Sequence, residues 1–198
     1  MPHEAGAEVD TYKCFADLHA REVRGKDYDL DVRYRDGARV AVIAPHGGGI
    51  EPETAKIAEA TAGAEFSLYC FKGLKANGNS RLHITSHHFD EPECLALLAK
   101  HQWVLAIHGC AESGERVLLG GLDKRLITDL STALETAGIR AETSGHEYTG
   151  KDLRNICNRG ARHVGAQFEL SLPFRRGDQV SRFVKAVRRV LAVRQNAA

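Results

Sequence analysis

An apolar run, Val40 to Ala44, delivers Pro45, His46, Gly47, Gly48, Gly49, Ile50 and Glu51 at its end. A strand there would fix the imidazole, and side-chain-free glycines would let backbone, metal and substrate approach closely. Glu51 then returns a hard oxygen donor just before Pro52, which is expected to open a helix. The chemistry implied is zinc coordination by His46 and Glu51.

A catalytic zinc takes three protein ligands and keeps a position for water. Trp103 to Ile107 repeats the pattern of an apolar strand running into His-Gly, at His108 and Gly109. His46, Glu51 and His108 therefore form the expected ligand set, with His83 and His88 as the rivals to His108. Glu169 is the candidate general base: it lies in an alternating segment, Ala166 to Leu172, on a face shared with Gln167 and Ser171. The polar stretch from Asn77 to Pro92 reads as a substrate loop in which Asn79, Arg81 and His83 are candidate substrate contacts. Tyr148, in a glycine-flanked loop, and Asn158 complete that candidate set, with Asn155 and Arg159 beside the latter. Cys110 has no identifiable partner base and reads as an inert buried thiol.

These residues need a scaffold that collects them from distant segments, and the hydrophobic pattern supplies one. Tyr28 to Tyr34 alternates into the Asp36-Gly37 turn and is followed by Val40 to Ala44, which predicts a hairpin. Beyond it the period changes. Helices are expected over 52–62, 92–100, 122–137 and 179–194, and strands over 65–71, 82–85, 103–107, 117–119, 139–141 and 166–172. The fold class that follows is a three-layer α/β domain: an open, mixed, largely parallel sheet with helices on both faces. Active residues of such sheets gather at the carboxyl ends of strands.

The chain of 198 residues shows no linker, repeat or low-complexity tract, so one domain over 1–198 is expected, with 1–25 a loosely packed N-terminal extension. The formal charge of +1 excludes a global field for nucleic acid or an anionic membrane. The basic segment near the C-terminus has its arginines opposite one apolar face, which reads as a solvated surface. Five scattered cysteines without a Cys-x-x-Cys pair exclude a disulfide framework and a thiolate zinc site. The N-terminus has no secretory pattern and no stretch is long enough to span a bilayer, so the expectation is a soluble protein, cytoplasmic at synthesis, and a monomer.

Four motifs, APHGGGIEP, LHITSHHFDEP, LAIHG and NICNRGARHVGAQFELS, in this order and at these separations, resemble the poly-gamma-glutamate hydrolase family of phages and bacteria. The resemblance covers about residues 28–175. It implies a zinc carboxypeptidase-like fold, a single zinc, hydrolysis of amide bonds in a gamma-linked glutamate polymer, and release on phage lysis as one route to the substrate. Carried over by motif, His46, Glu51 and His108 correspond to the zinc ligands and Glu169, in FELS, to the general base. Carboxypeptidases space their first two ligands His-x-x-Glu, whereas four residues intervene here. The shorter chain implies a more open groove. Two other readings share these residues: a zinc amidohydrolase for N-acyl amino acids or cell-wall peptides, and a non-catalytic metal-stabilised module that binds a polyanion.

Overall fold

Strands buried on both faces read as nearly continuous apolar runs, and four such strands make the centre of the sheet. The computed structural model describes residues 10–196. Its elements are α1 (Phe15–His19), β1 (Tyr28–Arg33), β2 (Val40–Gly48), α2 (Thr54–Ala62), β3 (Ser67–Gly73), α3 (Pro92–Leu98), β4 (Trp103–Cys110), β5 (Val117–Gly121), α4 (Lys124–Thr136), β6 (Ala166–Ser171), α5 (Leu172–Arg176) and α6 (Val180–Gln195). The sheet order is β1-β3-β2-β4-β6-β5. β3, β2, β4 and β6 are mutually parallel, and the edge strands β1 and β5 pair antiparallel with β3 and β6.

Alternation along the strands divides the core into two layers. Val40, Val42, Leu105, Ile107, Phe168 and Leu170 face α2, α4 and α6, and meet Ile57, Leu130 and Val187 there. Ala41, Ile43, Val104 and Ala106 face the other way, against Leu18 of α1, Leu97 and Leu98 of α3, and Ile84 and Ile156. The three-layer α/β arrangement with a mixed, largely parallel sheet is the observed fold. From β2 the chain passes through α2 to β3 on one side, then returns through α3 to β4 on the other side of β2. That reversal leaves a crevice at the carboxyl ends of β2 and β4, where such sheets hold their ligands.

Several local expectations are corrected. β1 and β2 do not form a hairpin: β3 inserts between them, and β1 pairs Tyr28 with Gly73 and Arg33 with Leu68. The Asp36-Gly37 turn exists, but a turn reverses the chain without choosing which strand becomes its neighbour. The segment 82–85 is not a strand; a 3-10 turn, Asn79–Leu82, precedes it. Residues 139–141 make no strand, although Glu142 bridges to Leu118. α2 begins at Thr54 because Glu53 adopts φ 76°, which a helix interior cannot hold. Within the described residues the N-terminal stretch is packed, not loose. Tyr12 and Leu18 are buried, and Tyr12 Oη donates to Glu22 Oε1 at 2.5 Å. Residues 1–9 of the expected extension lie outside the described residues.

Candidate metal centre

His46 sits near the end of β2, where simple alternation would put it on the same face as Val42 and Ala44. The pairing of β2 with β3 shifts register between Ala44 and Gly47, and such a shift re-aims the side chain that follows. His46 consequently reaches the opposite layer, where its Nε2 donates to the Ile84 carbonyl at 2.8 Å. A carbonyl can only accept, so this bond fixes the tautomer and leaves the Nδ1 lone pair directed into the site.

The loop after His46 closes tightly: the Glu51 amide donates to the His46 carbonyl at 2.9 Å. Gly48 makes the turn with φ 64°, and a Cβ there would lie 2.4 Å from the Gly73 carbonyl oxygen. The glycines therefore serve the approach of this loop to β3 and to the Asn79 side chain. Glu51 comes back with Oε1 3.1 Å from His46 Nδ1, while its Oε2 accepts from the Gly109 amide at 2.7 Å. His108, on β4, places its Nδ1 3.2 Å from His46 Nδ1 and its Nε2 3.5 Å from Ser86 Oγ.

One ligand atom from each of His46, Glu51 and His108 lies within 4.8 Å of the others. A bare imidazole nitrogen facing both a carboxylate oxygen and a second ring nitrogen is an arrangement of acceptors that a cation relieves. Two ligands about 2.0–2.1 Å from a tetrahedral zinc stand about 3.3 Å apart, close to the 3.1 and 3.2 Å found here. The residues present fit a divalent metal with nitrogen and oxygen ligands.

The charges of the site are interdependent. Burial opposes a charged His46, but the Glu51 carboxylate beside it and the Ile84 carbonyl outweigh that and raise its pKa. Burial together with the neighbouring His46 pushes His108 down to about 3, so it stays neutral and able to ligate. Burial would raise Glu51, yet His46, His108 and the Gly109 amide hold it below the ordinary carboxylate range.

Glu169 stands opposite His108 in the β4–β6 register and is 7% exposed. Burial and the nearby Glu51 charge raise its pKa well above the ordinary value. Its orientation follows from a chain of amides. Asn155 Oδ1 accepts from the Cys157 amide, so Asn155 Nδ2 donates to Gln167 Oε1 at 2.9 Å. Gln167 Nε2 is thereby turned to donate to Glu169 Oε1 at 3.1 Å. Glu169 Oε2 takes no part in this chain. Gln167 had only shared a face with Glu169 in the sequence, and the role of its amide emerges from the fold.

A cavity of about 350 Å³ lies over these groups. His46, Glu51, His108 and Glu169 line it together with His83, Tyr148, Asn155 and Gln167, and so do Glu147, Lys151 and Asp152, which sequence reading did not select. Burial raises the Tyr148 phenol to about 12, which keeps it a donor at neutral pH. The His83 ring lies tilted against His46, centroids 4.2 Å apart, but bonds through Nδ1 to Asp10 Oδ1 at 2.8 Å, outside the converging group of His46, Glu51 and His108. His88 is exposed and meets His87 edge-on, outside the converging group, so neither rival joins His46 and Glu51 as His108 does.

Three expected substrate contacts are placed elsewhere. Asn79 is tied by both amide atoms to the Lys75 backbone, at 3.0 and 2.6 Å, and packs on Gly49 and Gly73. Asn158 is buried, donates to the carbonyls of Gly150 and Asp152, and accepts from Gly165. Both are structural ties. Arg81 is exposed at the end of the 3-10 turn and does not line the cavity. A buried arginine that sequence reading missed lies nearer: Arg175, at the end of α5, covers Gly109 and donates to the Pro52 carbonyl at 2.5 Å. Its charge offsets those of Glu51 and Glu169. Its only sequence signal was its place shortly after the FELS segment.

Comparison with known proteins gives this geometry a context. The chain is 39% identical over 169 residues to the UPF0714 protein YndL of Bacillus subtilis (strain 168), covering 84% of this chain and 66% of YndL. The chain thus spans slightly under two thirds of that relative's length. A bacteriophage poly-gamma-glutamate hydrolase structure superposes with a TM-score of 0.89 at 32% identity, covering 93% of this chain and 97% of the phage protein. A zinc-free structure of YndL superposes at 0.86 with 34% identity, covering 93% and 98%. The family model described as poly-gamma-glutamate hydrolase matches residues 12–186, a span that includes every group of the metal centre. By that match, the chain belongs to the poly-gamma-glutamate hydrolase family.

Proposed function

We propose that this chain is a zinc-dependent hydrolase that cleaves the gamma-glutamyl amide bonds of poly-gamma-glutamate. The observation that carries the reading is the convergence of His46, Glu51 and His108 at the base of a cavity that also holds an oriented Glu169. His46 Nδ1, His108 Nδ1 and Glu51 Oε1 would hold the metal. When bound, zinc supplies Lewis-acid polarisation of water and of the scissile carbonyl.

The chain's own residues do the rest. Gln167 occupies Glu169 Oε1, which leaves Oε2 to take a proton from the attacking water and return it to the leaving nitrogen. Tyr148 is a protonated donor at the cavity wall for the oxygen that gains charge. Lys151 offers a cation to the substrate's free alpha-carboxylates at the same opening. The Gly109 amide, donating to Glu51 Oε2, and the Ile84 carbonyl, accepting from His46 Nε2, hold the two side chains in place with Glu51 Oε1 and His46 Nδ1 turned to the site.

The test combines metal analysis with size analysis of the polymer. Protein loaded with zinc should shorten poly-gamma-glutamate, chelation should stop this, and add-back should restore it. Glu169→Gln should keep the metal and the fold and lose about 10²- to 10⁴-fold in turnover. Full activity in that variant removes Glu169 from the mechanism. Equal cleavage of alpha-linked polyglutamate or N-acyl glutamate removes the gamma-linked polymer as the specific substrate.

A further inference from the structure

The cavity over the metal centre has a neighbour. A second cavity, of about 610 Å³, lies between the first turn of α4, the Gly120-Gly121 end of β5 and the loop 143–146. The two share Thr149 and Lys151 as a common wall. Successive parts of one loop thus face different spaces: Thr143 to His146 line the second cavity, and Glu147, Tyr148, Gly150 and Asp152 line the first. That wall is held from below. The Gly121 amide donates to the Thr149 carbonyl at 2.9 Å, and Asn158 Nδ2 donates to the carbonyls of Gly150 and Asp152.

We propose that this second cavity is a distal subsite for an anionic gamma-linked polymer, in which Lys124 and Lys151 receive alpha-carboxylates of residues remote from the scissile bond. The inference rests on the hydrolase reading for the identity of the polymer. Its own support is the chemistry of the lining. No aspartate or glutamate lines the second cavity, while Lys124 and Lys151 both do, and both are exposed. Among the described residues neither lysine has a carboxylate partner within ion-pair distance.

Lys124 is the first residue of a 13-residue helix whose N-cap, Asp123, gives its carboxylate to the Leu126 amide and to Arg162. Thr128, Thr143 and Ser144 add hydroxyl donors, and Leu119, Leu122 and Ile127 offer apolar surface for the two methylenes of each gamma-linked unit.

The experiment uses a fluorescently labelled gamma-linked glutamate dodecamer and a gamma-linked trimer. Dodecamer binding is read by anisotropy on the zinc-loaded Glu169→Gln protein, and hydrolysis of both substrates on the zinc-loaded wild type. Lys124→Glu should weaken dodecamer binding about fivefold or more and lower the dodecamer-to-trimer ratio of kcat/KM by a similar factor. Ser144→Trp, which fills the cavity without changing charge, should lower the same ratio, and Lys124→Arg should preserve it. Unchanged binding and an unchanged ratio in both Lys124→Glu and Ser144→Trp overturn the subsite. An equal loss on dodecamer and trimer also overturns it, because the effect is then a general field. A wild type that cleaves neither substrate, yet binds the dodecamer in a Lys124-dependent way, overturns the hydrolase reading and supports the subsite.

Discussion

At the scale of single residues, the candidate metal centre is a small set of atoms with little redundancy. If His46, Glu51 and His108 hold the proposed zinc, removing one of them leaves a buried lone pair beside a buried carboxylate, so His108→Ala should bring metal content from about one per chain to near zero. Elemental analysis checks this, and a variant that keeps stoichiometric metal would exclude His108 from the ligand set. Gln167 acts at one remove. Gln167→Leu deletes the donor to Glu169 Oε1 and strands the Asn155 amide, and it should lower kcat about tenfold while metal content stays constant. An unchanged kcat would show that Glu169 needs no such orientation. Residue chemistry was legible where the side chain itself carries the signal: His46, Glu51 and His108 were grouped from type and position, and the fold brings them together. Asn79, Arg81 and Asn158 were chosen because amides and guanidinium groups bind carboxylates, but the same amides also tie backbone. Only tertiary structure shows which partner Asn79 and Asn158 have taken.

At the scale of elements, the loop 142–152 depends on one strand edge. Glu142 exchanges backbone bonds with Val117 and Leu119, and the loop returns to β5 at Gly120 and Gly121. A Cβ on Gly120 would lie 2.6 Å from the Thr149 carbonyl oxygen and 2.7 Å from that of Tyr148. Gly120→Ala should therefore lift the loop, cost about 1–3 kcal/mol of stability, and remove hydrogen-exchange protection at the Gly121 amide. Denaturant midpoints and exchange rates report both, and wild-type protection would mean the loop does not rest on this strand. Sequence patterns gave the central strands and most helices within a few residues, because burial writes itself into β2, β4 and β6 as apolar runs. They could not give the partner of β1. Strand pairing is set by which apolar faces meet across the sheet, and β3, which begins only at Ser67, competes successfully for the edge next to β2. The register shift after Ala44 was equally invisible, since a bulge is a property of two strands and not of one.

At the scale of the whole molecule, the two apolar layers meet the candidate metal centre only at their margin, through residues such as Ile84 and Phe89, so the fold is expected to persist without an ion. Chelation should stop hydrolysis and lower the Tm, by mass action on the folded state, while the far-UV circular dichroism is retained. Loss of secondary structure on chelation would mean that metal and fold are one cooperative unit. Acid stability draws on carboxylates outside the candidate ligand set, Glu22 among them. Glu22 is buried, which raises its pKa, but hydrogen bonds from Lys75 and Tyr12 outweigh this and hold it below the usual carboxylate value. Its folded value lies below its unfolded one, so its stabilising contribution is complete above about pH 5 and is lost as the pH falls through the lowered folded value. Glu22→Gln keeps the shape and removes the titration, and it should flatten the dependence of stability on pH below about 4.5 relative to wild type. Urea midpoints measured from pH 7 downward test this. Parallel profiles for the two proteins would locate the acid sensitivity in other carboxylates, and would leave Tyr12 and Leu18 as the ties that hold the N-terminal stretch to the sheet.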